Sequence, residues 1–193
     1  MECRDVEKIF YGSTLQVAQN LLGCLLVKET KDGKAAGKIV ETEAYLGEED
    51  RAAHSFENKR TKRTEIMFHA PGHVYVFEMH THCLVNVVSA PAGVPQAVLI
   101  RALEPVEGID LMRSRRKRPK DIELTNGPGK LTKALGITME DYGRHFSGET
   151  LYIMKGKRPE EISSGPRIGI ENTGEAKDYP YRFWETENRF ISK

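Results

Sequence analysis

The chain has 193 residues, enough for one ordinary domain or at most two small ones. Hydrophobic residues make up 39% and charged residues 30%, a balance that excludes a disordered chain, a collagen-like fibre and a membrane span of about 18 apolar residues. Lysine and arginine number 29 and aspartate and glutamate 28, and the net charge of +1 singles out no partner.

The opening residues, Met1 to Lys8, mix both charge signs around no apolar segment, so no secretory signal is expected. Cys3, Cys24 and Cys83 follow no Cys-x-x-Cys pattern. They read as reduced thiols of a cytoplasmic protein, packed in part as small hydrophobes. There is no internal repeat. The longest loops are expected at residues 47–63, 90–96 and 155–166, none of them an interdomain linker.

The first predicted element is a helix. Ser13-Thr14 offers an N-cap, Leu15, Ala18, Leu21 and Leu22 recur at helical spacing, and Gly23 supplies the stop. A short strand, Cys24 to Val27, leads through the turn Lys31-Asp32-Gly33-Lys34 into a returning strand from Gly37 to Leu46. A period of two puts Val40, Thr42, Ala44 and Leu46 on one face of that strand and Ile39, Glu41, Glu43 and Tyr45 on the other. A second hairpin follows Ala70-Pro71-Gly72, with arms His73 to Met79 and Cys83 to Ser89 and His80-Thr81-His82 near its tip. Ala97 to Ile100 is a further strand leading into Arg101, and a helix from Val106 to Arg118 is ended by Pro119. Gly127-Pro128-Gly129 precedes a short helix, Lys130 to Leu135. Two late strands are predicted at Leu151 to Met154 and Arg167 to Ile170. Hairpin-paired strands with interspersed helices give an α+β class with a mostly antiparallel sheet.

Charge is unevenly placed. Residues 59–63 hold four cations in five positions and residues 113–120 hold six in eight, while Glu41, Glu43, Glu48, Glu49 and Asp50 supply much of the balance. Dense basic blocks suit a phosphate backbone, where neutralised phosphates release counterions; a solvated helix face is the alternative. Glycines before the helix at Lys130 let backbone approach a ligand beside unpaired amide groups, or mark an ordinary helix start. No Walker motif and no Gly-x-Gly-x-x-Gly follows a strand.

Glu41 and Glu43 share a strand face with Tyr45, although glutamate is a poor strand former. Two carboxylates in a dry core would each cost several kcal/mol without partners, so that face is open to water or lines a site. Arg101, at the end of another strand, could pair with one of them and hold it ionised. His80, His82 and Cys83 lack the fourth ligand and the tighter spacing of structural zinc, and no nucleophile elbow is present, so neither a metal nor a nucleophilic triad is expected.

Ordered blocks along most of the chain carry a resemblance. They include Glu41-Thr42-Glu43-Ala44-Tyr45-Leu46-Gly47, Asp50 with Ala52-Ala53-His54-Ser55, Val74-Tyr75-Val76, Leu99 to Pro105, Asn126 to Leu131 and Pro166 to Ile170. Together they resemble the alkyladenine (3-methyladenine) DNA glycosylases of the mammalian type, which remove damaged purines. The resemblance implies one α+β domain over residues 1–193, with a curved sheet, surrounding helices and a protruding β-hairpin. It implies flipping of an alkylated or deaminated purine out of double-stranded DNA and hydrolysis of its glycosidic bond, with no lyase step. No cofactor, metal or membrane is implied, and the protein would act as a monomer, nucleoid-associated if bacterial.

By position, Glu43 would activate the attacking water, with Arg101 and the carbonyl of Ile168 helping to hold it. Tyr45, His54 and Phe77 would enclose the flipped base, Phe77 standing where the family has tyrosine. Asn86 would exclude the 2-amino group of guanine. Lys62, Arg63, Arg116, Gly127, Gly129 and Lys130 would grip the DNA. The family's Tyr-Gly-Met wedge is replaced by Glu78-Met79-His80-Thr81-His82, with an apparent one-residue deletion that puts His80 at the wedge position and Met79 beside it. Ala176 stands where tryptophan is common. Two competing functions are a lesion-binding protein without catalysis, prompted by the altered tip, and a hydrolase of free nucleosides, whose aspartate-rich calcium motif is absent.

Overall fold

The structure is a computed structural model that describes residues 7–117 and 120–192. Cys3, and Pro119 with its expected role as a helix stop, lie outside the described residues, as does Arg118 of the second basic block. The first helix, α1 (Thr14–Leu21), opens as expected on Ser13. Ser13 and Gln16 cap one another, the Gln16 amide donating to Ser13 Oγ and the Ser13 amide to Gln16 Oε1. Gly23 ends the helix with φ +84°, where an added Cβ would lie 2.1 Å from the Lys157 carbonyl oxygen, so only glycine fits.

The strands form one antiparallel sheet. They are β1 (Leu25–Thr30), β2 (Gly33–Tyr45), β3 (Val74–Met79), β4 (His82–Val88), β5 (Ala97–Glu107), β6 (Leu151–Met154), β7 (Ile162–Gly165) and β8 (Arg182–Glu185). The order is β3-β4-β5-β2-β1-β6, with β8 added to β2 and β7 to β8. One edge of β2 is therefore shared, β1 pairing with residues 33–38 and β8 with residues 41–43. Two more helices, α2 (Ile109–Arg116) and α3 (Pro128–Leu135), complete the α+β class.

Alternation along the strands splits the sheet into two faces. Val74, Val76, Val85, Val87, Val98 and Ile100 join α1 and α3 in the main core. Tyr75, Phe77, Leu84, Val88, Ala97 and Leu99 form a second apolar cluster on the opposite face, over Ile66 and Met67. That second face carries the site.

Several predicted boundaries are corrected. On β2 the register shifts between Ile39 and Glu41, so a bulge reverses the period of two. Ile39 joins the main core with Ala44, while Val40 packs against Ala102 and Phe190. β5 runs on to Glu107, and α2 begins at Ile109, not Val106, after Gly108 turns the chain at φ +72°. The strand expected at Arg167 to Ile170 is a loop; the strand is β7, which stops before Pro166, a residue with no ladder donor. β8, Arg182–Glu185, is a strand in addition to those predicted. The hairpin tip closes on a two-residue turn in which His80 (φ 48°) and Thr81 (φ 68°) are both left-handed, an uncommon state for a β-branched residue. Cys24 is buried and Cys83 half-buried, and both are free thiols.

Candidate active site

A cavity of about 430 Å³ opens on the second face of the sheet, within the roughly 300–1,000 Å³ of small-molecule sites. Its wall includes Tyr45 from β2, Tyr75, Phe77 and Met79 from β3, Leu84 and Asn86 from β4, and Leu99 and Arg101 from β5. His54 and the loop Ile168 to Thr173 close the remaining sides. The period of two explains this assembly, since Tyr75, Phe77 and Met79 are alternate residues of one strand.

Glu43 is fully buried just behind this wall, and the residues that hold it are themselves part of the wall. The Tyr45 phenol donates to Glu43 Oε2 at 2.8 Å, Arg101 Nη1 to the same oxygen at 3.3 Å, and the Ile168 amide to Oε1 at 2.7 Å. Burial pushes the Glu43 carboxyl above its ordinary value, against the pull of Arg101, the Ile168 amide and the Tyr45 hydroxyl. Tyr45 is pushed well above the usual phenol range by burial and by the carboxylate it serves.

The expected pairing of Arg101 with a carboxylate is present, and it involves both. Its Nε lies 3.4 Å from Glu41 Oε1 while Nη1 reaches Glu43. Glu41 is also fully buried, and Ser192 binds it through its amide and hydroxyl while Arg182 Nη1 sits 3.2 Å away. The carboxylate face of β2 is thus neither open to water nor an unpaired core.

His54 Nδ1 is 2.7 Å from the Tyr75 hydroxyl, and its ring meets Phe77 edge-on at 4.5 Å. Burial, helped by the charge of Arg63, lowers His54 to about 4, so the ring is neutral at pH 7. Asn86 Nδ2 donates to the Tyr75 carbonyl at 3.0 Å, which fixes the amide in the wall.

The candidate DNA contacts divide. Lys62, Arg63 and Lys130 are exposed. Arg116 is half-buried, with Nη2 on the Glu123 carbonyl, and its neighbours are likewise engaged: Arg113 with Asp110 and Asp121, and Arg115 with the C-terminal carbonyls of α3. Three cations of the second basic block, Arg113, Arg115 and Arg116, are thus engaged within the fold. Gly127 is the N-cap of α3, and an added Cβ on Gly129 would lie 2.8 Å from His82 Cβ, so this glycine admits the hairpin against the helix. Met79 lines the cavity mouth, whereas His80 sits beyond it on the turn. Among the described residues no group of His, Cys, Asp and Glu is placed to hold a metal ion, and no helix is long and apolar enough to cross a membrane.

Beyond the predicted site residues, the structure brings in Tyr75 and the buried pair Asp50–Arg167. Arg167 grips both Asp50 oxygens, donates to the carbonyls of Ala44 and Ala176, and lies over the Tyr45 ring at 4.7 Å. It therefore anchors both Tyr45 and the adjoining Ile168. Asp50 and Arg167 each stood in a matching block, but only the fold brings them together.

Comparison with known proteins adds a second line of support. The profile of the family described as Methylpurine-DNA glycosylase (MPG) matches residues 8–189. A Bacillus subtilis (strain 168) protein named "Putative 3-methyladenine DNA glycosylase" is 64% identical over 185 residues, covering 95% of this chain and 94% of its own. Proteins of the same name from Bacillus velezensis and Listeria monocytogenes serovar 1/2a are 63% and 46% identical, over 96% and 97% of this chain and 95% and 92% of theirs. These relatives are bacterial, and the mammalian qualifier of the resemblance finds no support in them.

Proposed function

The chain belongs to the methylpurine-DNA glycosylase family, and from that membership we propose that it is a monofunctional glycosylase that turns one damaged purine out of double-stranded DNA into this cavity. The observation that carries the proposal is the buried Glu43 carboxylate, held by three donors that all belong to the cavity wall. A carboxylate offers about four acceptor sites, so one remains for a water entering from the cavity.

In this reading the water attacks the sugar carbon as the carbon–nitrogen bond breaks, and Glu43 accepts the proton. Its negative charge also favours the developing oxocarbenium ion, and the departing alkylated base leaves neutral. Arg101 and the Ile168 carbonyl orient the water. Tyr45, His54 and Phe77 enclose the base, where a cationic purine gains about 0.5–2 kcal/mol from aromatic faces. Asn86 stands against the purine edge to exclude a 2-amino group. Lys62, Arg63 and Lys130 grip phosphates without reading sequence. Either Met79 or His80 fills the gap in the duplex, and the place of Met79 at the cavity mouth favours it. The protein acts as a monomer and needs no cofactor.

A second reading, lesion binding without cleavage, draws on the altered tip and on the absence of Glu43 from the exposed wall. Duplex DNA carrying one hypoxanthine or 3-methyladenine, treated with hot alkali after incubation, separates the two. The parent protein should generate breaks, and Glu43→Gln should bind equally while turnover falls by at least about 10²-fold. Turnover within a few-fold of the parent would remove Glu43 as the base, and a parent that binds without generating breaks would favour the second reading. Because water attacks, borohydride should trap no covalent adduct.

A further inference from the structure

Building on the catalytic reading of Glu43, we propose that Ser192 is a positioning residue whose hydroxyl aims Arg101 at Glu43 by denying it a two-pronged pairing with Glu41. Arg101 lies between two buried carboxylates, and a guanidinium fork pairs best with both oxygens of one. Without the Ser192 hydroxyl, the fork would be free to turn toward Glu41, whose Oε1 then keeps only Arg182 Nη1 at 3.2 Å beside it.

Ser192 prevents this by occupying both Glu41 oxygens, its amide on Oε2 and its hydroxyl on Oε1 at 2.8 Å. The same hydroxyl oxygen accepts from Arg101 Nε and Nη2, each at 3.2 Å. Nη1 is thereby left for Glu43 at 3.3 Å. A hydroxyl is the smallest side-chain group that donates and accepts at once, which this junction requires. Ser192 is buried and forms no part of the cavity wall, so it acts through Arg101 and not on a substrate.

The groups packed around Glu43 are Glu41 and Tyr45 on β2, Arg101 on β5, Arg182 opposite it on β8, and Arg167 beside Ile168 in the loop after β7. Of these, Ser192 contacts Glu41 and Arg101.

The test measures Glu43 directly, by carbon-13 NMR titration of its carboxyl, alongside excision and lesion-DNA affinity. Ser192→Ala removes the hydroxyl, and Ser192→Cys keeps the volume while supplying a poor donor and acceptor, so one variant stands in should the other fail to fold. Either should raise the Glu43 midpoint by about one pH unit, the size of effect an adjacent opposite charge exerts. Excision at neutral pH should slow by about 10–100-fold, with lesion affinity within about twofold of the parent. A merely structural role would lower the melting temperature and leave the midpoint where it was. An unmoved midpoint in a folded variant overturns the proposal, whatever the rate. A shifted midpoint in a protein whose parent excises nothing would uphold the positioning and sink the catalytic reading, so the two failures are told apart.

Discussion

The phenol of Tyr45 donates to Glu43 Oε2 across 2.8 Å, which ties an aromatic wall of the cavity to the carboxylate behind it. In the proposed reaction one side chain would therefore serve both a stacking surface and a proton acceptor. Removing its hydroxyl separates the two roles.

In Tyr45→Phe the ring stays and burial of Glu43 is opposed by Arg101 and the Ile168 amide alone, so the carboxyl climbs further above its ordinary value. A general base works only when ionised, and activity is lost as pH falls through its folded-state value. The acid limb of kcat/KM should accordingly lie at higher pH in the variant, with lesion binding little changed. An acid limb at the parent's position or below would sink this account.

Glu43 should also be a site where function opposes stability. Its folded value is raised, so the stability linked to the protonated form is complete below the unfolded value and is lost as pH rises through the folded one. At neutral pH the ionised carboxylate is thus a cost that glutamine lacks. Relative to the parent, Glu43→Gln should gain in melting temperature between acid and pH 8, by about 2–4 °C for each kcal/mol recovered. The advantage should vanish in acid, where the parent carboxyl is protonated. Calorimetry at the two pH values checks this, and a variant that melts well below the parent only at pH 8 would contradict it.

Asp50 and Arg167 form a buried pair in which Asp50 also accepts the amides of Leu46 and Ala52. Arg167→Met or Asp50→Asn alone leaves one group uncompensated and should cost about 3–5 kcal/mol in urea unfolding. The double variant should cost less than the sum. Additive losses would mean that the two act independently.

At the hairpin tip, Met79 continues the line of Tyr75 and Phe77 to the cavity mouth, while His80 lies on the turn. Met79→Ala should lower excision from duplex DNA by about tenfold, a fraction of the few kcal/mol that unstacking demands, and His80→Ala by less. The reverse ranking would reassign the wedge to His80.

How far the sequence could be read depended on whether a feature is local. The cap at Ser13 and the hairpin around His80-Thr81 follow from neighbouring residues or strand period, and the pairing of Arg101 with a glutamate from two buried carboxylates that need a cation. The bulge at Val40 left no local mark, and it reversed two residues. The run Arg167 to Ile170 has the apolar alternation of a strand, yet its Arg167 side chain and Ile168 amide are spent on Asp50 and Glu43. For the basic block at 113–120, composition cannot show that Arg113, Arg115 and Arg116 also have partners within the fold. Ser192 and the Ile168 amide carried no signal at all, since a serine and a backbone N–H acquire meaning only from what the fold sets beside them.

The donors to Glu43 other than Tyr45 lie 58 and 125 residues further along the chain. Such separations make the cluster a product of late, slow chain closure rather than of early helix or hairpin formation. A polypeptide emerging from the ribosome would carry α1 and the β1–β2 strands long before the loop after β7, and premature termination before that loop would leave Glu43 without the Ile168 amide.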